Sequence, residues 1–449
     1  MSKHINMTQG KPLKLLFSFA LPLMFGNVFQ QLYTVVDTAI VGRGVGMDAL
    51  AALGSVDWLN WMLLGIAQGF TQGFSVRISQ KFGEGDMKGL RQTAGQAALL
   101  SIVIAVVCTA AIQLALPQIL VLLRVPEELK AIAALYTRVL MAGLPAVVFY
   151  NYCASILRAV GDSRTPLTAM VIAALTNIVL DLVAVFLLGW GIAGAAAATV
   201  LSQCLSGFVC AAKIRKTPGL HFETQQLVPK AADCADLAKI GTPIAAKNMI
   251  IALGGMVIQS IVNGFALSFI AGFTATNKLY GLLEIAAISY GYAVTTYVGQ
   301  NYGAQKLERI RSGVRSAVVL SLATSVVIAG VMILFGRSIT MLFISAEDPS
   351  LMAAAGQTAY QYLCVMSISL PVLYLLYVLL SALQGLGRTV ATMVSGIVEF
   401  VLRVGFAMLV GWSGFEAGIF GAEVSAWFGA AAFLSVSYLR CIRKLQKNE

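Results

Sequence analysis

Apolar runs of about 20 residues or more, parted by short polar turns, recur along the whole 449-residue chain, and that is the length a helix needs to cross a bilayer. Twelve such spans are predicted, near 13–41, 49–76, 94–117, 131–156, 166–188, 192–212, 238–264, 268–298, 314–336, 352–384, 389–411 and 416–438. Several exceed 25 residues, which implies tilt or protrusion past the hydrocarbon. The expected fold class is therefore an all-α integral membrane protein.

Composition supports this pattern. Apolar residues make up 58% of the chain, charged residues 11%, and the mean hydropathy is +0.82. A soluble domain carries a charged fraction of about 25%, because it needs a wetted surface. The first apolar run is too long for a cleavable signal peptide, and no small-residue cleavage pattern follows it.

A net charge of +11 raises the question of nucleic acid, but the basic residues are spread over short loops and form no continuous face. No nucleic-acid partner is expected. With both termini placed in the cytoplasm, 23 basic residues fall in inside segments, from Lys3 to Lys447. Only Arg43, Arg124, Lys130, Arg138 and Arg337 fall outside, while Lys247, Lys278 and Arg403 lie within spans. The positive-inside rule then predicts a multi-pass plasma (inner) membrane protein with cytoplasmic ends.

Chemistry-bearing motifs are scarce. Seven scattered cysteines form no CxxC pair and read as small buried residues. The two histidines, His4 and His221, fall in polar segments, which excludes intramembrane histidine chemistry. There is no HExxH, no Asp-rich prenyl-pyrophosphate motif and no Walker P-loop, so neither an enzyme nor direct ATP drive is expected.

The chain is also duplicated. Gln80-Lys81-Phe82-Gly83 is echoed by Gln300-Asn301-Tyr302-Gly303, Gly189-Trp190 by Gly411-Trp412, and Pro22 and Asn27 by Pro243 and Asn248. Each echo links spans six apart, so the halves share one orientation, as in parallel-repeat transporters. The expected organisation is a six-helix bundle over 1–212 carrying a cation site, a cytoplasmic linker over 213–237 and a second six-helix bundle over 238–449. A cleft between such bundles can open alternately to either side.

Ionisable residues within spans are costly and are candidates for function. Asp37 lies in the first span, and Asn177 and Asp181 share one face of the fifth at i,i+4 spacing. Thr199 lies in the sixth. Asp181 stands eight residues before Gly189 and Thr199 eight after Gly191, a depth of about 12 Å at 1.5 Å per residue. Asp37 stands seven residues before Gly44, at about 10 Å. Four oxygen-bearing side chains thus converge on one level, and they suit a monovalent cation or a proton. The alternative is that Asp37 and Asp181 only hydrogen-bond neighbouring helices, and it fits Asn177 and Thr199 taken alone even better.

The repeat equivalents of these four are Gln259, Glu399, Arg403 and Ala426, so the cation site is expected in the first half only. Glu399 and Arg403, at i,i+4, are expected to neutralise each other as a buried pair. In the eighth span Glu284 and Lys278 are candidates for a substrate or proton site. Glu284 is open equally to pairing with Lys247 or Lys278. Tyr33, Met141, Phe149, Tyr150 and Tyr292 can line a cavity, though each taken singly fits packing.

Pro22, Asp37, Asn177-x-x-x-Asp181, Thr199, Gly161-Asp162-Ser163-Arg164-Thr165-Pro166 and Gln80-Lys81-Phe82-Gly83, set in two six-span halves, together resemble the multidrug and toxic compound extrusion (MATE) transporters. The resemblance covers essentially the whole chain. It implies export of organic, often cationic and amphipathic, drug-like compounds by a monomer embedded in lipid. It also implies no cofactor beyond a coupling ion, Na⁺ or H⁺, with Asp37, Asn177, Asp181 and Thr199 as the cation residues and Pro22 as a helix-bending point. Some branches place essential acids in the second half, where Gln259 here departs from that pattern. A flippase for a lipid-linked oligosaccharide is the alternative, disfavoured by the few basic residues within spans.

Overall fold

The computed structural model describes residues 5–220, 224–341, 349–414 and 416–447; Lys3, His4 and His221 fall outside them. Among the described residues the chain forms α-helices and no strand. The helices are α1 (Pro12–Gly44), α2 (Met47–Glu84), α3 (Met87–Leu122), α4 (Glu127–Ala142), α5 (Leu144–Ala159), α6 (Arg164–Leu182) and α7 (Gly191–Lys216). They continue with α8 (Ala231–Val262), α9 (Leu267–Gly303), α10 (Leu307–Met341), α11 (Pro349–Gly385), α12 (Thr389–Ser413) and α13 (Phe420–Gln446).

Each predicted span falls on these helices to within a few residues at its ends. The fourth is shared by α4 and α5, and the fifth is α6 extended by a π-helical turn at Val183–Leu187. Among the described residues ten helices are long and apolar enough to cross a membrane, or eleven if α4 and α5, bent by 42°, count as one span. Pro145 accounts for the bend, since it has no N–H to give to the carbonyl four residues back. Helix α9 is not among the ten, because Lys278, Glu284 and many Tyr and Thr residues dilute its apolar character.

The packing is inverted relative to a soluble protein. Helices α3 and α10 are the most apolar spans and also the least buried. Trp412 is 89% exposed, Leu122 81% and Leu334 77%. Such a surface on spans of this length fits lipid. Small side chains fill much of the interior, as expected where helices associate by close contact rather than by excluding water.

Contacts divide the chain into two compact units. One comprises Met1–Met7 with Leu21–Met249, the other Thr8–Ala20 with Ile250–Glu449. In the first unit, Gly65, Gly69 and Gly73 form a small-residue ladder along α2. A Cβ at Gly69 would lie 2.5 Å from Ala245 Cα, and one at Gly73 2.5 Å from Gly241 Cα, so α2 and the first half of α8 meet backbone to backbone. One turn further along, Asn248 Nδ2 donates to the Gly65 carbonyl at 2.8 Å. The buried Gln96 holds the segment before α8. Its Nε2 donates to the carbonyls of Gln226 (3.0 Å) and Val228 (2.8 Å), and its Oε1 accepts from Lys230 N (2.8 Å).

The Gly161–Pro166 motif has a local explanation. Gly161 sits at φ +90°, where a Cβ would meet the Ile5 carbonyl oxygen at 2.2 Å. Asp162 Oδ1 then accepts from the N–H groups of Arg164 (3.1 Å) and Thr165 (3.0 Å), and Oδ2 from the Thr165 hydroxyl (2.7 Å). It thereby satisfies the start of α6. Asp162→Ala is expected to destabilise the protein by about 1–2 kcal/mol, the value of a helix-start cap, seen as a lower melting temperature in detergent.

In the second unit, Phe269, Phe273, Tyr362 and Phe420 stack with ring centroids 4.8–6.5 Å apart. Beside them Arg403 Nη2 meets Glu423 Oε2 at 2.7 Å, with the two side chains 6% and 16% exposed. This adds to the expected Glu399–Arg403 pair a carboxylate that the expectation did not include. The direct carboxylate comes from α13, because the long arginine side chain reaches across to the neighbouring helix instead of folding back along its own. Glu399 remains close enough to act on Arg403 through its charge.

Candidate functional site

The first unit brings the four predicted cation residues together. Asp37 on α1 and Asp181 on α6 face each other closely enough for each carboxyl to act on the other. Asn177 Nδ2 donates to Thr199 Oγ1 on α7 at 3.4 Å, and Thr199 in turn donates to the Ala195 carbonyl at 3.2 Å. Asn177 and Asp181 are 1% and 0% exposed, deep in the bundle.

Satisfaction of the oxygens is the telling feature. Asp37 Oδ1, both oxygens of Asp181 and Asn177 Oδ1 are buried and receive no hydrogen bond. Buried acceptors are nearly always paired, and each one left without a donor costs about 1–3 kcal/mol. Two ionised carboxylates cannot bond to each other, since neither has a hydrogen to give. The cluster is a group of buried oxygen acceptors contributed by α1 and α6, with Thr199 of α7 beside them. A proton between the carboxyls, or a small cation among the four oxygens, would complete it.

Tyr33, one turn before Asp37, feels its charge and reaches Gln203 on α7. Three neighbours escaped the sequence reading. Tyr136 on α4 lies within electrostatic reach of Asp37, Asp57, Tyr33 and Asp181. Asp57 is an acid inside an apolar span, and the intramembrane-charge criterion that flagged Asp37 applies to it equally. Gln203 follows Thr199 by four residues, so helical spacing could have found it. Nothing in the pattern around Tyr136 singles it out. The π-helical turn begins two residues after Asp181, and such turns often accompany functional sites.

Glu284 and Lys278 are not equivalent. Glu284 is 9% exposed and accepts hydrogen bonds from the hydroxyls of Tyr280 and Tyr377, the latter at 3.4 Å, whereas Lys278 is exposed. Pro22 lies inside α1, which continues through it as one helix.

Among the described residues, an all-helical body with spans of membrane-crossing length and an acid pair inside a bundle defines an integral membrane protein. The MatE family model matches residues 22–183 and again 243–409, and the chain belongs to that family, the MATE transporters. It is 30% identical over 441 residues to the probable multidrug resistance protein YpnP of Bacillus subtilis (strain 168), covering 98% of each chain. It is 27% identical over 340 residues to the probable multidrug resistance protein YoeA of the same organism, covering 74% of this chain and 73% of that one. In fold it is similar to a crystal structure of MATE in complex with MaL6, with a TM-score of 0.92 at 24% identity over 100% of both chains.

Proposed function

We propose that this protein is a cation-coupled antiporter that exports organic, often cationic and amphipathic compounds in exchange for Na⁺ or H⁺. The single observation carrying the coupling is the group of buried oxygens on Asp37, Asp181 and Asn177 that receive no hydrogen bond. The names of the curated relatives, multidrug resistance proteins, support a drug-like substrate.

In this mechanism a cation enters from outside and neutralises the Asp37–Asp181 pair. Bundles spanning 1–212 and 238–449, joined by the linker over 213–237, rock between outward- and inward-open states. Pro22 has no N–H for the Ser18 carbonyl, so α1 can bend there when Asp37 is neutralised. Differential cation affinity in the two states is what drives the substrate outward. Glu284, held by two tyrosine hydroxyls, is the second-half position suited to a substrate's cationic group. The loop charges support cytoplasmic termini.

Dye export from proteoliposomes under a Na⁺ gradient or a pH gradient, each imposed alone, tests the proposal; no response to either gradient overturns it. Thr199→Ala removes one neutral oxygen and should weaken cation binding by about tenfold, the value of one hydrogen-bond-scale interaction. The half-saturating cation concentration for export measures this.

A further inference from the structure

The two halves use equivalent positions in opposite ways. Helices α1, α6 and α7, which build the acid pair in the first unit, correspond through the repeat to α8, α12 and α13. In the second unit those three helices surround a guanidinium. Arg403 on α12 gives Nη2 to Glu423 Oε2 on α13 at 2.7 Å and Nη1 to the Ile251 carbonyl on α8 at 3.5 Å. Helix α8 runs close beside it, since a Cβ at Gly254 would lie 3.4 Å from Arg403 Cδ. Glu399, one turn earlier on α12, adds a second carboxylate, and Tyr280 and Tyr362 are the other ionisable groups acting on Arg403.

The correspondence is residue by residue. Arg403 stands at the repeat position of Asp181, and Glu399 at that of Asn177. Glu423 precedes Ala426, the counterpart of Thr199, by one turn. Gln259, the counterpart of Asp37, donates instead to Asn263 Oδ1 at 2.8 Å. Among the described residues of the first unit no basic side chain meets the buried oxygens; in the second, where Glu399 Oε1 and Arg403 Nε also lack a hydrogen bond, the same neighbourhood holds a positive group that belongs to the chain.

We infer that Arg403 is a tethered cation occupying the second half's counterpart of the coupling-ion site, so that this transporter takes its coupling ion in one half only. The inference rests on the cation reading of the first half. A guanidinium suits the task because it is always protonated and is held by carboxylate and carbonyl oxygens, the donor set that would otherwise bind a mobile monovalent ion. Being covalently fixed, it keeps the charge of this cluster constant through the cycle. Only the first half then changes charge as the protein alternates.

The test removes the tether where the first site is already disabled. Arg403→Ala in an Asp37→Asn background should acquire a rise in melting temperature of a few degrees with Na⁺, Li⁺ or guanidinium, a response the Asp37→Asn parent lacks. Adding Glu423→Gln should abolish the response, and Arg403→Lys, which retains a tethered charge, should not show it. No cation response in the Arg403→Ala protein, or one that survives Glu423→Gln, overturns the inference. If Arg403→Ala is not monodisperse in plain buffer, purification with millimolar guanidinium becomes the readout; recovery supports the tethered-cation role and failure to recover refutes it. Comparing wild type with Asp37→Asn tests the first-half site separately. That comparison can fail while the gain in Arg403→Ala stands.

Discussion

Asp37→Asn is expected to abolish gradient-driven export while leaving an inserted, folded protein. Asparagine keeps the shape of the side chain but replaces a charged oxygen with a neutral amide. The interaction lost is between a cation and a buried carboxylate, worth about 3 kcal/mol, or roughly 100-fold in cation affinity. Coupling requires the cation to bind one state better than the other, so losing that affinity removes the drive and does not merely slow it. Asparagine fills nearly the same volume, and Asp37 Oδ1 holds no hydrogen bond within the protein that the substitution would break. The fold should therefore survive. Export measured in proteoliposomes under Na⁺ and pH gradients checks this, with size-exclusion profiles as the folding control. Wild-type rates from the variant would remove Asp37 from the mechanism.

Gly69→Leu is expected to cost the fold itself. A Cβ there would lie 2.5 Å from Ala245 Cα, 2.6 Å from Ala245 N and 3.0 Å from Ile244 C, all backbone atoms that cannot swing aside. The only relief is to move α8 away from α2, which strips contacts at Gly73–Gly241 and at the Asn248–Gly65 hydrogen bond together. Overpacking alone costs about 1–3 kcal/mol, and losing the close helix contact adds to it. Thermal unfolding in detergent should show a marked fall in melting temperature or little monodisperse protein. Gly54→Leu on the same helix is the control, since a Cβ there meets nothing within 4 Å. Equal melting of the two variants would show that the α2–α8 contact does not hold the unit together.

Much of the site was legible because helices convert sequence spacing into depth. Asp37, Asn177, Asp181 and Thr199 could be placed at one level by counting residues from the outside turns, at a fixed rise of 1.5 Å per residue. Counting gives height but not azimuth. It could not say that Tyr136 from α4 and Gln203 from α7 turn toward the same acids. Arg403 shows the same limit. The i,i+4 rule favours the nearest carboxylate on the same helix, yet the guanidinium pairs with Glu423 on α13. Which helix stands beside which is a property of the packed bundle.

The sequence by itself marked this chain as a multi-pass membrane protein, and it led us to expect about twelve apolar spans, duplicated halves and acids at a shared depth. Those follow from apolar run length and helical rise, which are local. Only the tertiary structure decided which oxygens are left without donors, which acid answers Arg403, and where glycines let two backbones touch. Each of these depends on the rotation and separation of neighbouring helices, and the favourable terms that set them are summed over contacts between residues far apart in the chain.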